Sequence, residues 1–189
     1  MSSQDFATTT AEPASSYLIP DIAVPPSRLL MGPGPSETHA SVLAALARPT
    51  VGHLDPFFLQ LMNEVQEMLR QVFQTQNRLT LAVSGTGSAG METCLVNLIS
   101  PGDRVVIGVN GVFGGRMKEV ARRAGADVLA IERPFGEVFS LEEVEQAIKH
   151  HSPKLVGLVH AETSTGARQP LDGFARVVRE AGALLVVDC

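Results

Sequence analysis

The stretch of sequence that decides the fold is Ser84-Gly85-Thr86-Gly87-Ser88-Ala89-Gly90. The apolar run 79–83 before it predicts a strand, and the segment 91–99 after it predicts a helix. A Gly-rich turn between a strand and a helix builds an anion site. Glycines let the backbone approach a ligand, and a helix N-terminus presents unpaired N–H groups with a partial positive charge. We expect a phosphate as the ligand, and the alternative is a turn that binds nothing.

The spacing Gly85-x-Gly87-x-x-Gly90 also matches the dinucleotide-binding fingerprint. That fingerprint requires an acidic residue at the carboxyl end of the following strand, where it binds a ribose. The next predicted strand, 104–109, is followed by Asn110 and Gly111, and Asp103 precedes it at the wrong end. The sequence therefore favours a phosphate site over a dinucleotide site.

The composition is that of a globular chain with few obvious charged partners. Of the 189 residues 44% are hydrophobic and 19% are charged, and the net charge is −5. No block of Lys or Arg indicates nucleic acid, and no apolar run is long enough to span a membrane. Cys94 and Cys189 lie outside any metal-binding spacing, so we expect no metal and reduced thiols. A cytoplasmic location follows as an expectation, with a C-terminal peroxisomal signal left open.

The two ends of the chain differ in character. Residues 1–27 are rich in Ser, Thr, Ala and Pro without a period, which predicts a flexible arm with 19–24 as a candidate docking segment. Residues 28–189 are predicted to form one domain. The chain stops at a buried-strand pattern, 184–189, where a loop and another helix follow in such sheets. We therefore expect a piece of a longer protein, with this domain incomplete at its C-terminus.

Helices are predicted between the arm and the Gly-rich turn. Two Gly-Pro pairs in 32–36 predict a rigid turn that either links segments or faces a ligand. A short helix is predicted over 39–47 and a longer one over 56–75, and the lone His53 between them is predicted to be structural. The longer helix has an apolar stripe that predicts core or a subunit interface. Its residues are Phe58, Leu61, Met62, Val65, Met68, Leu69, Val72 and Phe73.

After the turn, strands and helices alternate. Strands are predicted over 104–109, 127–131, 155–159 and 183–188, and helices over 111–124, 140–150 and 171–181. Ser140 and Glu143 form the sequence pattern of a capping box. Because the strands show little polar alternation, we predict an α/β fold with a mainly parallel sheet flanked by helices.

Polar residues gather where these strands end. The groups are 84–88, 110–113, 160–166 and Asp188. Ligands of such sheets bind beyond the carboxyl ends of the strands, so we expect these groups to form one site.

The residue types in this set match a cofactor with a phosphate, an aromatic ring and a basic ring nitrogen. The turn 84–88 would hold the phosphate, and Phe113 would stack on the ring. Asp188 would pair with the protonated ring nitrogen, and Thr163 would donate to a ring hydroxyl oxygen. These demands describe pyridoxal phosphate. The structural alternatives are Phe113 as a core residue, and Glu162 and Ser164 as residues that only hydrogen-bond their loop.

At this point the sequence resembles the N-terminal half of the class V, fold-type I pyridoxal-phosphate aminotransferases, within them the alanine–glyoxylate / serine–pyruvate aminotransferase group. The resemblance runs from about Arg28 to the end. The motifs that carry it are 30–36, 72–75, 84–88, 96–98, 101–103, 110–114, 162–166, 169–173 and 184–188.

The resemblance implies roles for individual residues. Phosphate binding falls to Thr86, Gly87 and Ser88, ring stacking to Phe113, the ring-oxygen contact to Thr163, and the catalytic pairing with the pyridine nitrogen to Asp188. Gly34, in the loop 32–35, and Gly52 would line the substrate side. Relatives are homodimers in which the N-terminal arm crosses to the partner.

The resemblance also implies an activity for the full-length parent, which is transamination between alanine or serine and glyoxylate or pyruvate. The Schiff-base lysine and the substrate-binding arginine of relatives would lie beyond residue 189, because Lys118, Lys149 and Lys154 do not match the lysine motif. Within the fold, the alternatives are a 2-aminoethylphosphonate transaminase and a cysteine desulfurase. From another class, the alternative is a non-catalytic nucleotide- or phosphate-binding module.

Overall fold

A computed structural model describes residues 26–189. Most of the predicted arm 1–27, including the candidate docking segment 19–24, therefore lies outside the described residues, and the arm stays a prediction. The chain divides into two compact units, Met1–Arg48 and Pro49–Cys189. In the described part of the first unit, helix α1 spans Ala40–Leu46, and its N-cap His39 accepts a hydrogen bond from the Ser41 amide. This confirms the short helix predicted over 39–47.

The second unit is built on a four-stranded parallel sheet, which confirms the predicted fold class. The strands are β1 (Arg104–Val109), β2 (Asp127–Glu132), β3 (Leu155–Val159) and β6 (Leu184–Asp188), in the order β2-β1-β3-β6. All three pairings are parallel, and Val159 lies opposite Asp188 at the carboxyl edge. The helices are α2 (Pro56–Phe73), α3 (Gly87–Leu98), α4 (Val112–Arg123), α5 (Leu141–His151) and α6 (Phe174–Glu180). A two-stranded hairpin, β4 (Ala161–Glu162) with β5 (Ala167–Arg168), was not predicted.

The two faces of the sheet bury two separate cores. Successive side chains of a strand point to opposite faces, so Val105 and Ile107 pack on one side and Val106 on the other. The core beneath α3 and α4 consists of Met91, Leu95, Ile99, Val105, Ile107, Met117, Ala121, Leu155 and Val159. The core beneath α5 and α6 consists of Val106, Phe139, Val144, Ala147, Ile148, Val156, Leu158, Phe174, Val177 and Val178. Helices cover both faces, as the uniformly apolar strands predicted.

The ends of the helices follow local chemistry. Both hydrogen bonds of the predicted capping box are present, from the Glu143 amide to the Ser140 hydroxyl and from the Ser140 amide to the Glu143 carboxylate. The last helix begins at Phe174 instead of residue 171. Gly173 precedes it with φ +83, a left-handed conformation that cannot belong to the helix.

The strand predicted over 79–83 is wrong. These residues form no strand and pair with none in the described part of the chain. Leu79 is 84% exposed, Leu81 46% and Val83 39%. A strand is stabilised by the hydrogen bonds and packing of a neighbour, which apolar residues alone do not supply. The helix after the turn also starts earlier than predicted, at Gly87, so the turn itself forms the first turn of α3.

Helix α2 confirms the prediction over 56–75 in its position but not in its burial. Asp55 caps it by accepting a hydrogen bond from the Phe57 amide, with Pro56 at the first helical position. None of its residues is buried, so the part of the prediction that assigned its apolar stripe to the core is wrong. No helix within residues 26–189 combines the length and the apolar character needed to cross a bilayer.

A glycine in the middle of β3 allows α4 to pack on the sheet. A Cβ atom on Gly157 would lie 2.5 Å from Met117 Sδ and 2.7 Å from Ile107 Cδ1, and both of these residues are fully buried. We expect Gly157→Val to lower the free energy of unfolding by about 1–3 kcal/mol, because the extra carbons overpack this core. Urea or thermal unfolding measures the change.

Gly115 on α4 supplies the matched control. A Cβ atom there would meet nothing within 4 Å, so Gly115→Ala should leave stability unchanged or raise it by about 0.5–1 kcal/mol through helix propensity. Equal stability of Gly157→Val and the unsubstituted protein would contradict the packing described here.

Candidate functional site

A candidate site lies at the carboxyl edge of the sheet, where two of the four predicted polar groups, 84–88 and Asp188, line one cavity. A cavity of about 440 Å³ has the turn 85–87, the first half of α3, part of 81–83 and the last residues of β6 in its wall. Of the predicted site residues, Thr86, Gly87 and Asp188 line it. The structure therefore brings together the predicted phosphate turn and the predicted ring partner.

The turn before α3 leaves backbone donors unpaired. Gly85 has φ +151, and a Cβ atom there would lie 2.8 Å from the Ala89 Cβ, so both conformation and space require glycine. Thr86 occupies the N-cap position, but its side chain makes no capping hydrogen bond. The amides of Gly87 and Ser88 have no acceptor within residues 26–189. A helix N-terminus of this kind favours an anion.

The N-terminus of α4, at the same edge, differs because its backbone amides have hydrogen-bond acceptors. Glu162 is 1% exposed, and its Oε2 accepts hydrogen bonds from the amides of Phe113 (3.1 Å) and Gly114 (3.2 Å). The amide of Val112 donates to the Ser164 hydroxyl at 3.0 Å, and that hydroxyl donates to Glu162. Both side chains therefore have structural contacts that reach α4, and the alternative in which they only hydrogen-bond their own loop is wrong. The positive end of α4 is therefore neutralised within the protein, and that of α3 is not.

The fit of Glu162 against the backbone explains a glycine in this motif. A Cβ atom on Gly111 would lie 2.3 Å from both Cγ and Cδ of Glu162. The carboxylate reaches α4 only because residue 111 has no side chain. The position of Glu162 in a motif near the site was visible in the sequence. Its contacts with Phe113 and Gly114, which are 49 and 48 positions away, leave no pattern in the sequence.

Asp188 ends β6 with its carboxylate unpaired. Its backbone pairs with β3 and its carbonyl accepts a hydrogen bond from the His160 amide at 2.8 Å, but its side chain forms no hydrogen bond or ion pair within the described residues. Burial raises the pKa of Asp188, and the negative charge of Glu162 raises it further, while the positive charge of Arg116 lowers it. A cationic group in the cavity would favour the ionised carboxylate.

Arg116, on α4, was not predicted as a site residue, although it contacts two residues that were, Ser88 and Phe113. Its guanidinium donates to the Ser88 hydroxyl, and its Cζ lies 5.2 Å from the centre of the Phe113 ring. Positions 113 and 116 are three apart on one helix and therefore neighbours on its surface, which is the signal that was available. Arg116 links the phosphate turn on α3 to the predicted stacking residue on α4.

The remaining predicted site residues are more scattered. Thr163 is exposed in the turn between β4 and β5 and does not line the cavity, and Phe113 is half-buried beside Arg116. Gly52 precedes α2, where its carbonyl accepts a hydrogen bond from the Asp55 amide. Gly34 lies in the other unit, Met1–Arg48. The roles predicted for these four residues stay predictions.

The position of Asp103 agrees with the prediction against a dinucleotide site. It lies before β1, at the amino edge of the sheet, and accepts hydrogen bonds from the Ser100 amide (2.7 Å) and Lys154 Nζ (2.6 Å). The hydrogen bond from Lys154 is the main reason that the pKa of Asp103 is lowered. Asp103 therefore forms a structural ion pair with Lys154, at the edge of the sheet opposite the Gly-rich turn.

Comparison with known proteins identifies the family of this chain. Residues 36–189 match the family model for Aminotransferase class-V. The chain belongs to the class V aminotransferase family. The resemblance predicted from the motifs is thereby confirmed.

Named relatives of this class V protein include enzymes that use glyoxylate. It is 47% identical over 163 residues to the alanine–glyoxylate aminotransferase of Mus musculus, covering 86% of this chain and 39% of that protein. It is 44% identical over 163 residues to the (S)-ureidoglycine–glyoxylate transaminase of Bacillus subtilis (strain 168), covering 86% of this chain and 39% of that protein. The chain thus spans about two fifths of the length of these relatives.

A solved structure shows the same fold. The crystal structure of alanine–glyoxylate aminotransferase from Nostoc sp. superposes with a TM-score of 0.87 at 55% identity, over 94% of this chain and 47% of that one. The class V protein therefore has the sheet and helices of the fold-type I aminotransferases in the part described.

Two buried side-chain amides, those of Gln169 and Asn110, hold the loop 133–139 at the carboxyl edge of the sheet in this class V protein. Gln169 is 1% exposed, and its Oε1 accepts from the Phe139 amide at 2.8 Å while its Nε2 donates to the Phe139 carbonyl at 3.1 Å. Asn110, also 1% exposed, donates to the Glu137 carbonyl at 2.7 Å. Neither residue was predicted to be structural, although both lie in the resemblance motifs.

The unpaired carboxylate of Asp188 should destabilise the protein without cofactor. A group whose pKa is raised on folding favours the folded state at low pH, and this contribution is lost as the pH rises through the folded-state pKa. We expect Asp188→Asn to melt at the same temperature as the unsubstituted protein below about pH 4, the ordinary Asp range. As the pH rises towards 7, the variant should become the more stable of the two.

Melting temperatures measured across this pH range without cofactor test the expectation. Exposed Asp172→Asn is the matched control and should not separate from the unsubstituted protein. An Asp188→Asn protein that is less stable near neutral pH would show that the carboxylate has a stabilising partner.

Proposed function

We propose that the full-length protein is a pyridoxal-phosphate-dependent aminotransferase that transfers an amino group from alanine or serine to glyoxylate or pyruvate. The observation that carries the proposal is the pairing, in one cavity, of the uncapped N-terminus of α3 with the unpaired carboxylate of Asp188. The names of the relatives support it.

The residues at one end of the cavity fit a phosphate. The free amides of Gly87 and Ser88 point from the positive end of a helix, and the Ser88 hydroxyl lies next to them. A Cβ atom on Gly87 would meet nothing within 4 Å, so the packing of the protein does not itself require glycine there. Close approach of a phosphate to the backbone gives that glycine a reason.

The residues at the other end fit a protonated pyridine ring. Burial and Glu162 disfavour the ionised form of Asp188, and a pyridinium nitrogen would offset both effects. Pyridoxal phosphate, when bound, supplies an electron sink for the bond changes at the substrate amine. Asp188 would keep the proton on the ring nitrogen, and Phe113 would cover one face of the ring. Thr163 would donate to the ring oxygen, and Gly34 and Gly52 would line the substrate side.

Transamination by the full-length protein tests this directly. We expect pyridoxal phosphate with L-alanine or L-serine and glyoxylate or pyruvate to give the matching keto acid and amino acid products. Asp188→Asn should reduce kcat by about 100-fold or more, because it removes the charge that holds the ring nitrogen protonated. Asp172→Asn is the control that should keep full activity.

Stability and activity should therefore move in opposite directions in Asp188→Asn. A variant that folds well and transaminates normally would exclude the proposed role of Asp188. A full-length protein with no transamination from any donor would overturn the proposed function and favour a non-catalytic phosphate-binding module.

A second candidate for the amino donor is (S)-ureidoglycine, favoured by the 44% identity to the Bacillus subtilis transaminase. Both enzymes named among these relatives have glyoxylate in their names, so the acceptor is common to the two candidates. Comparing kcat/KM for L-alanine, L-serine and (S)-ureidoglycine with glyoxylate decides between the donors.

We also propose that the protein is a homodimer and that α2 lies in the subunit interface. Phe57, Leu61, Met68 and Val72 fall on one side of this helix and are 41–74% exposed. An apolar stripe of this size is typical of a protein interaction surface.

A charge placed in this stripe should separate the subunits. We expect Met68→Arg to shift the protein from dimer to monomer in analytical ultracentrifugation, because an arginine in an apolar interface has no partner for its charge. Asn63→Arg, on the opposite side of α2, is the matched control and should stay dimeric. Monomeric unsubstituted protein, or a dimeric Met68→Arg variant, would contradict this interface.

A further inference from the structure

We propose that Arg116 is a positioning residue for the cofactor phosphate, which it serves by holding the Ser88 hydroxyl as a hydrogen-bond donor. The inference rests on the proposed function, because it assigns a role towards the same cofactor. It concerns the contact between the second turn of α4 and the first turn of α3.

The direction of the contact follows from the chemistry of its two groups. A guanidinium has only N–H donors, so Arg116 must donate and the Ser88 oxygen must accept. A serine hydroxyl has a single hydrogen, and this contact does not use it. The Ser88 O–H forms no other hydrogen bond within residues 26–189, so it is free to donate to an anion beside the Gly87 and Ser88 amides.

Arg116 also brings a charge that no carboxylate neutralises. Some cations on the same helix form ion pairs, such as Arg123 with Glu119 and Lys118 with Glu132. Arg116 has no ion-pair partner in the described part of the chain, and it lies against the Phe113 ring instead. A cation over an aromatic face keeps its charge while its position is restrained.

The negative charge at this edge favours an arginine as the group that holds the Ser88 hydroxyl. Two carboxylates, Glu162 and Asp188, face this edge and interact unfavourably with each other. A phosphate dianion would be repelled by both. Arg116 acts against them, since its charge lowers the pKa that burial and Glu162 raise at Asp188.

Titration of the full-length apoprotein with pyridoxal phosphate and with pyridoxal separates the phosphate contribution from that of the ring. We expect Arg116→Met to weaken pyridoxal phosphate binding by about tenfold, the loss of one charge-assisted hydrogen bond. Pyridoxal, which has no phosphate, should bind the variant and the unsubstituted protein equally. Arg116→Lys, which keeps the charge, should restore part of the loss.

Two further variants sharpen the test. Arg123→Met, on the same helix but paired only with Glu119, is the matched control and should bind both compounds normally. Ser88→Ala should also weaken pyridoxal phosphate selectively, and the double variant Ser88→Ala/Arg116→Met should lose less than the product of the two single effects, because Arg116 acts through Ser88.

The outcomes distinguish this inference from the proposed function. Unsubstituted protein that binds neither compound overturns both. Normal pyridoxal phosphate binding by Arg116→Met overturns the role of Arg116 alone. Equal weakening of pyridoxal and pyridoxal phosphate, or independent effects in the double variant, also overturns it, because Arg116 would then act on the fold or directly on the ligand.

Discussion

The buried carboxylate of Glu162 is the contact on which the arrangement of the site depends. By accepting hydrogen bonds from the first amides of α4, it fixes that helix against the hairpin that follows β3. The same contact sets the position of Phe113 and Arg116, which project from the start of α4. It also neutralises the N-terminus of α4, whereas the uncapped N-terminus of α3 keeps the free amides that we propose bind the phosphate.

Glu162 has a second effect, which is electrostatic. Its charge raises the pKa of Asp188, so the protein holds a carboxylate that would gain from a cation, beside backbone donors that would gain from an anion. A ligand with a phosphate at one end and a protonated ring nitrogen at the other satisfies both needs at once. The site is thus less stable alone than it would be with neutral residues, and this difference favours binding of such a ligand.

Local patterns allowed much of this to be predicted from the sequence. The parallel sheet was predicted from apolar runs separated by helical segments. Ser140 and Glu143 predicted the start of α5, because they form a local capping box. The apolar run 79–83 led to a wrong strand prediction, because an apolar pattern does not reveal whether a neighbouring strand is present. The contacts of Glu162 with α4 and of Arg116 with Ser88 join residues 28 to 49 positions apart, and no periodicity reports such pairs.

A crystal structure of the full-length protein with bound pyridoxal phosphate tests the central claim most directly. Phosphate oxygens should lie within hydrogen-bond distance of the Gly87 and Ser88 amides, and the pyridine nitrogen should lie beside the Asp188 carboxylate. The amides of Phe113 and Gly114 should remain bonded to Glu162. A phosphate bound away from α3, or a ring nitrogen with no contact to Asp188, would contradict the division of roles between the two helices.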